Sequence, residues 1–182
     1  MVWCRPLRCA TFADCPVPSV IVPDVEIRPS RYGAPVAQKM LAAAQEELTQ
    51  RYGSGDENPI ESVQFDPPEG IFLIAWIDGE PVGCGGWRTI SHFRDDSELA
   101  EDVAEIKRMY VAPGTRNAGV ATALLAALEA SARDSGMRRM ILETGTAQPE
   151  AIAFYTKIGY EQIPNYGHYK DSPNCVSFGR DL

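Results

Sequence analysis

Glu105-Ile106-Lys107-Arg108-Met109-Tyr110-Val111 runs into Ala112-Pro113-Gly114-Thr115, and Arg116-Asn117-Ala118-Gly119-Val120-Ala121 follows. The first seven residues read as a strand, which Pro113-Gly114 stops. Val120, Leu124, Leu125, Leu128 and Ala132 then make an apolar stripe that predicts a helix over 119–135, closed by Gly136. A strand, a tight turn and a helix N-terminus make an anion site. The first helical N–H groups lack partners, and the dipole puts roughly half a positive charge there. Ala118, Gly119 and Ala121 are small enough for a diphosphate to approach the backbone, and Arg116 adds a charge. Neither G-x-x-x-x-G-K-S/T nor G-x-G-x-x-G occurs, which disfavours a nucleoside triphosphatase or a dinucleotide enzyme.

Working outward, Met140-Ile141-Leu142 is the next strand, and Pro149 opens a helix over 149–158 that Gly159 ends. Short strands over 160–163 and 174–181 flank an aromatic loop. Upstream, alternation predicts a strand over 25–28. Val36, Met40, Ala44 and Leu48 predict a helix over 35–52. The apolar run 71–77, the turn Asp78-Gly79 and the segment 82–90 predict a hairpin. Residues 53–70 and 91–102 read as loops. This order implies a three-layer α/β (α+β) domain with a mixed sheet and helices on both faces.

The 182 residues fit one domain, read as 24–182 behind an irregular extension over 1–23. That extension has Arg5 and Arg8 but no continuous apolar segment, so it is not read as a signal peptide. Hydrophobic residues at 45% with 23% charged exclude disorder as the dominant state. No apolar run approaches the roughly 20 residues that cross a bilayer. A net charge of −8 argues against nucleic-acid binding and is compatible with a cationic acceptor. The five cysteines (Cys4, Cys9, Cys15, Cys84, Cys175) match no zinc spacing, so no metal is implied and reduced thiols in a cytoplasm are expected.

The segment R-x-x-G-x-A after a strand ending Y-V-x-P resembles the acyl-CoA signature of the GNAT superfamily of N-acetyltransferases. Residues 148–160, from Gln148-Pro149-Glu150-Ala151 through Phe154-Tyr155 to Gly159-Tyr160, are similar to its second signature, N-x-x-A-I-x-F-Y-x-K-x-G-F/Y. Gln148 stands where that family usually has Asn, and Asn117 where Gly is common. The resemblance implies acetyl-CoA as co-substrate. The backbone of Arg116, Asn117, Ala118, Gly119, Val120 and Ala121 would hold the pyrophosphate, and that of Met109, Tyr110 and Val111 the pantetheine arm. Gln148 and Tyr155 would adjoin the cofactor. The sheet would splay between its fourth and fifth strands and open a cleft between Met109 and Met140. An amide on the fourth strand could face the thioester oxygen.

Tyr155 matches the tyrosine that protonates the departing thiolate; outside that context it reads as a core aromatic. Freeing an amine of pKa ~10.4 costs about 4.6 kcal/mol at pH 7, so a base is required. Glu105 lies on the cleft-lining strand and is either that base or half of a cross-strand ion pair. Tyr166, His168 and Tyr169 sit in the aromatic loop, as an acceptor cover or as a hairpin packed on the sheet. His92 is a weaker candidate, and Cys84 and Cys175 read as inert thiols. The expected reaction moves acetyl from acetyl-CoA to a small primary amine, amino-acid-like or polyamine-like, by direct attack in a ternary complex. A protein or peptide N-terminus is the runner-up acceptor. From another class, a non-catalytic acyl-CoA sensor fits the same cofactor signature. A homodimer is compatible with all of these.

Overall fold

Residues 71–77 carry apolar side chains on both faces, which only a strand covered on both sides can bury. In the computed structural model, which describes residues 24–90 and 102–182, they form the second strand of a seven-stranded sheet, with a neighbour on each side. The elements run β1 (Glu26–Pro29), α1 (Pro35–Tyr52), β2 (Gly70–Ile77), β3 (Glu80–Thr89), β4 (Val103–Val111), α2 (Val120–Asp134) and β5 (Arg139–Gly145). Then come α3 (Pro149–Lys157), β6 (Glu161–Ile163) and β7 (Cys175–Asp181). The sheet order is β1-β2-β3-β4-β5-β7-β6. Only β4 and β5 pair in parallel. The other neighbours are antiparallel.

Alternation along β2 sorts its side chains between two layers. Leu73 and Ala75 join Leu124, Leu125 and Leu128 of α2, with α3 on the same side. Phe72 and Ile74 join Ala37, Met40 and Leu41 of α1 and Phe65 of the short turn Ser62–Phe65. Each fully buried leucine or isoleucine contributes roughly 1.5–3 kcal/mol. The expected mixed, three-layer architecture is therefore the observed one. The expected extension over 1–23, His92, and Cys4, Cys9 and Cys15 lie outside the described residues.

The β4–β5 ladder is short. It runs from Val103 opposite Arg139 to Ile106 opposite Leu142, and the two strands then part. Past that point β4 pairs only with β3, and β5 only with β7. The register between β3 and β4 shifts there, setting Arg108 and Met109 against Gly85 alone, and Arg108 has φ 57. Such a bulge bends its strand and increases the local twist, which carries β4 away from β5. The splay between fourth and fifth strands is thus present. One detail differs from expectation. Met140 pairs with Ala104 inside the ladder, so the wall facing Met109 is Glu143–Gly145 instead.

Candidate active site at the fork of β4 and β5

On the α2–α3 side of the fork, Met109 sits at the bulge and Tyr155 reaches it from α3. The Tyr155 hydroxyl donates to Met109 Sδ at 3.2 Å. Its ring packs near Tyr160 and Phe178, and the residue is 6% exposed. Burial pushes this hydroxyl well above the ordinary tyrosine range, so it keeps its proton at neutral pH. Tyr110 points the other way, against the α1 layer, and Val111 returns to the α2 layer.

Beyond β4 the turn 116–121 leads into α2. Gly119 is the N-cap at φ 82, and Asn117 takes φ 66. No side chain caps this helix. A Cβ built on Gly119 would meet no atom within 4 Å, so the backbone stands open there. The Arg116 Nε donates to the Val111 carbonyl at 3.0 Å, and its outer nitrogen pairs with Glu47 of α1. Glu47 also pairs with Arg51, which pairs in turn with Glu150 at the start of α3. Gln148, the α3 N-cap, accepts from the Thr144 hydroxyl at 3.4 Å. These contacts fit a diphosphate-bearing cofactor: uncapped N–H groups, an open glycine and an arginine at the rim.

The opposite face of the fork is charged. Glu105 and Arg88 are cross-strand partners, and Arg88 Nε donates to Glu105 Oε2 at 3.0 Å. Lys107 Nζ lies 2.8 Å from Glu105 Oε1 and 2.7 Å from Glu143 Oε2, bridging the two strands just where they part. Glu105 is 0% exposed and Arg88 2%. Of the two readings held for Glu105, this is the geometry of the ion pair. Burial alone would lower the Lys107 pKa, but Glu105 and Glu143 together outweigh it and hold the ammonium charged. Burial raises the Glu143 carboxyl against the opposing pull of Lys107.

Above this floor, Arg108 pairs with Asp56 from the loop after α1. The Tyr169 hydroxyl donates to Asp56 Oδ1 at 3.0 Å and accepts from the Glu57 N–H at 2.7 Å. His168 stands edge-on to Tyr169, with ring centroids 4.7 Å apart. Tyr166 is buried with Ile90, Val103 and Ile141, its hydroxyl turned toward Glu105 and Glu143. Of the aromatic loop, then, Tyr166 belongs to the floor, while His168 and Tyr169 lie at the rim. Cys84 is buried and its thiol is pushed up to about 12, as an inert thiol should be. Burial also raises Cys175. No cluster of metal-ligating side chains occurs among the described residues.

Sequence reasoning missed Lys107, Glu143 and Asp56 as members of this site. A signal existed: Glu105 and Lys107 are two opposite charges at period two within the central strand Val103–Val111. Both therefore share one face, and Glu143 falls on that same face of β5.

Comparison with known proteins agrees with this geometry. The Acetyltransferase (GNAT) family matches residues 35–160. An IAA acetyltransferase of Azospirillum brasilense is 35% identical over 115 residues, covering 63% of this chain and 70% of that protein. An aminoglycoside N(6')-acetyltransferase type 1 of Stenotrophomonas maltophilia is 27% identical, over 63% of this chain and 76% of its own length. A Klebsiella pneumoniae structure solved as an acyl-CoA N-acyltransferase superposes with TM-score 0.69 at 28% identity, covering 87% of this chain and 98% of that one. With residues 35–160 matched, the chain belongs to the acetyltransferase (GNAT) family, and its activity is that of an acyltransferase.

Proposed function

We propose that the chain moves the acetyl group of acetyl-CoA to the primary amine of a small molecule, amino-acid-like or polyamine-like, by direct attack in a ternary complex. Acetyl-CoA is the acyl donor of the family and the co-substrate of this chain, supplying a thioester whose carbonyl carbon accepts the amine. The turn 116–121 holds its diphosphate and the unpaired edge of Met109–Val111 holds its pantetheine arm. A bulge N–H on β4 stabilises the charge that develops on the thioester oxygen, and Tyr155 protonates the departing sulfur.

The observation that carries this reading is the two-sided fork. A proton-bearing tyrosine lies on one face and the carboxylates Glu143 and Asp56 on the other, with parted strands between them. The Stenotrophomonas relative, named for an aminoglycoside amine, supports a small-molecule acceptor. Thiol release from acetyl-CoA across a broad amine panel, with mass detection of products, tests it. Acetyl-CoA binding without CoA release for any amine would instead favour the sensor reading.

Two further results are expected. Gly119→Leu places a side chain in the open space above the turn and should raise the acetyl-CoA KM at least tenfold. The left-handed φ adds a stability cost of roughly 1–2 kcal/mol. Arg116→Ala should weaken binding by about 1.5–3 kcal/mol through loss of a charge-assisted hydrogen bond. Unchanged acetyl-CoA calorimetry in both variants would move the site elsewhere. Separately, the net charge of −8 should favour cationic acceptors, with kcat/KM falling as salt rises. A best acceptor that is anionic and insensitive to salt would contradict this.

A further inference from the structure

We propose that Glu143, on β5, is the carboxylate that binds the acceptor's ammonium and takes its proton; this rests on the acetyl-transfer reading above. Glu105 and Glu143 share one face of the sheet but sit on opposite sides of a boundary. Glu105 lies within the β4–β5 ladder, opposite Ile141. Glu143 is the first β5 residue beyond it, where the strands have parted. Glu105 is fully enclosed at 0% exposure, with Oε2 on Arg88 and Oε1 2.8 Å from Lys107 Nζ but outside hydrogen-bond geometry. Glu143 commits only Oε2, to Lys107. Its Oε1 meets the Cys175 thiol at 3.9 Å, a weak donor, although the side chain is 7% exposed. A buried carboxylate oxygen without a strong donor, at the mouth of the fork, is a place for an N–H donor from outside the chain.

The charges around it suit an ammonium that must become an amine. The groups facing Glu143 are Lys107 and Glu105 from β4, Cys175 from β7, Asp56 from the loop after α1 and Tyr166 from the aromatic loop. Lys107 is neutralised by its contact with Glu105, and the set Arg88, Glu105, Lys107 and Glu143 sums to zero. A proton moved from an arriving ammonium to Glu143 leaves the total charge unchanged but replaces two desolvated ions by a neutral amine and a neutral acid. Burial disfavours the charged forms of both partners, so the acceptor is driven to give its proton to Glu143.

The step balances. One N–H bond of the ammonium breaks and one O–H bond forms on Glu143, freeing the nitrogen lone pair. That pair forms the C–N bond as the C–S bond breaks, and the sulfur takes the Tyr155 proton. The nitrogen's second proton restores Tyr155 by way of water, and Glu143 releases its own to solvent, one proton net per turnover.

The test combines a titration with kinetics. Protein labelled with ¹³C at glutamate carboxyls is titrated by NMR, the Glu143 signal being assigned by its loss in Glu143→Gln. That signal should titrate above the ordinary glutamate range and shift when 1,4-diaminobutane is added with CoA present. For the fastest amine of the panel, Glu143→Gln should lose at least 100-fold in kcat at pH 7 and recover partly near pH 10, with acetyl-CoA affinity unchanged. Glu143→Asp, which keeps the charge, should recover part of the rate and covers the case in which the glutamine variant fails to fold. A Glu143 signal in the ordinary range that no amine moves, or a Gln variant with the parent's rate and pH profile, would overturn the proposal. A signal that responds to the diamine with no turnover of any amine would keep the ammonium site and overturn the transfer reading instead.

Discussion

Replacing Tyr155 with phenylalanine should lower kcat by about 10²–10⁴-fold, the range general acid catalysis supplies, while acetyl-CoA affinity stays near that of the parent. The substitution keeps the ring against Tyr160 and Phe178 and removes only the hydroxyl that donates to Met109 Sδ. A thioether is a weak acceptor, so the lost bond costs little stability, and Tm should move by a few degrees at most. The large effect belongs to the proton. Burial holds the hydroxyl above the ordinary tyrosine range, so it is protonated across any working pH. A thiolate leaving into the same buried surroundings is poorly solvated. The same desolvation that raises the tyrosine raises the thiol, which keeps the transfer close to matched. Because Tyr155 does not titrate in the working range, the variant's pH profile should keep the shape of the parent's at a lower height. A kcat within threefold of the parent would make Tyr155 a packing residue and assign the sulfur's proton to water.

The parts of this site that could be read from the chain are those that local chemistry marks. Pro113-Gly114, Gly119, Pro149 and Gly159 punctuate the strand–turn–helix and the last helix. The stripe through Leu124 and Leu128 faces the sheet as its period requires. The bulge is different. It falls at Arg108, a residue with no special tolerance for φ 57, and no glycine or asparagine on β4 itself announces it. What holds it is long-range: the ion pair to Asp56 and the Arg108 guanidinium near the Asp56 and Asn58 carbonyls, some fifty residues away. Without the bulge the fork cannot be placed, so Met140 passed for a cleft wall and Glu143 went unread. Tyr166 escaped for a related reason. An aromatic between turn residues reads equally as a lid or as a plug, and only its packing on Val103 and Ile141 decides.

Glu105→Gln should cost stability more than chemistry. The parent carboxylate is 0% exposed and faces Arg88 and Lys107, themselves 2% and 6% exposed. Neutralising it takes the carboxylate from two buried cations, and breaking a buried pair in this way costs about 3–5 kcal/mol. For a chain of this length that is a fall in Tm of roughly 6–20 °C. The deficit should also depend on pH with a definite sign. In the parent, Glu105 and Glu143 raise the Lys107 pKa above its unfolded value near 10.4. The parent's extra stability is therefore complete below that value and is lost as pH rises through the folded pKa. Removing Glu105 takes away one of the two groups that raise Lys107, so its folded pKa drops and the variant has less of this stability to lose as pH rises. The gap between the two proteins should therefore narrow in alkaline solution. Chemical denaturation at pH 7 and pH 10.5 measures it. If Glu105 serves only as the ion-pair anchor, the surviving activity keeps the parent's pH dependence. A stable variant whose rate collapses at neutral pH and recovers in alkali would return the proton-removing role to Glu105.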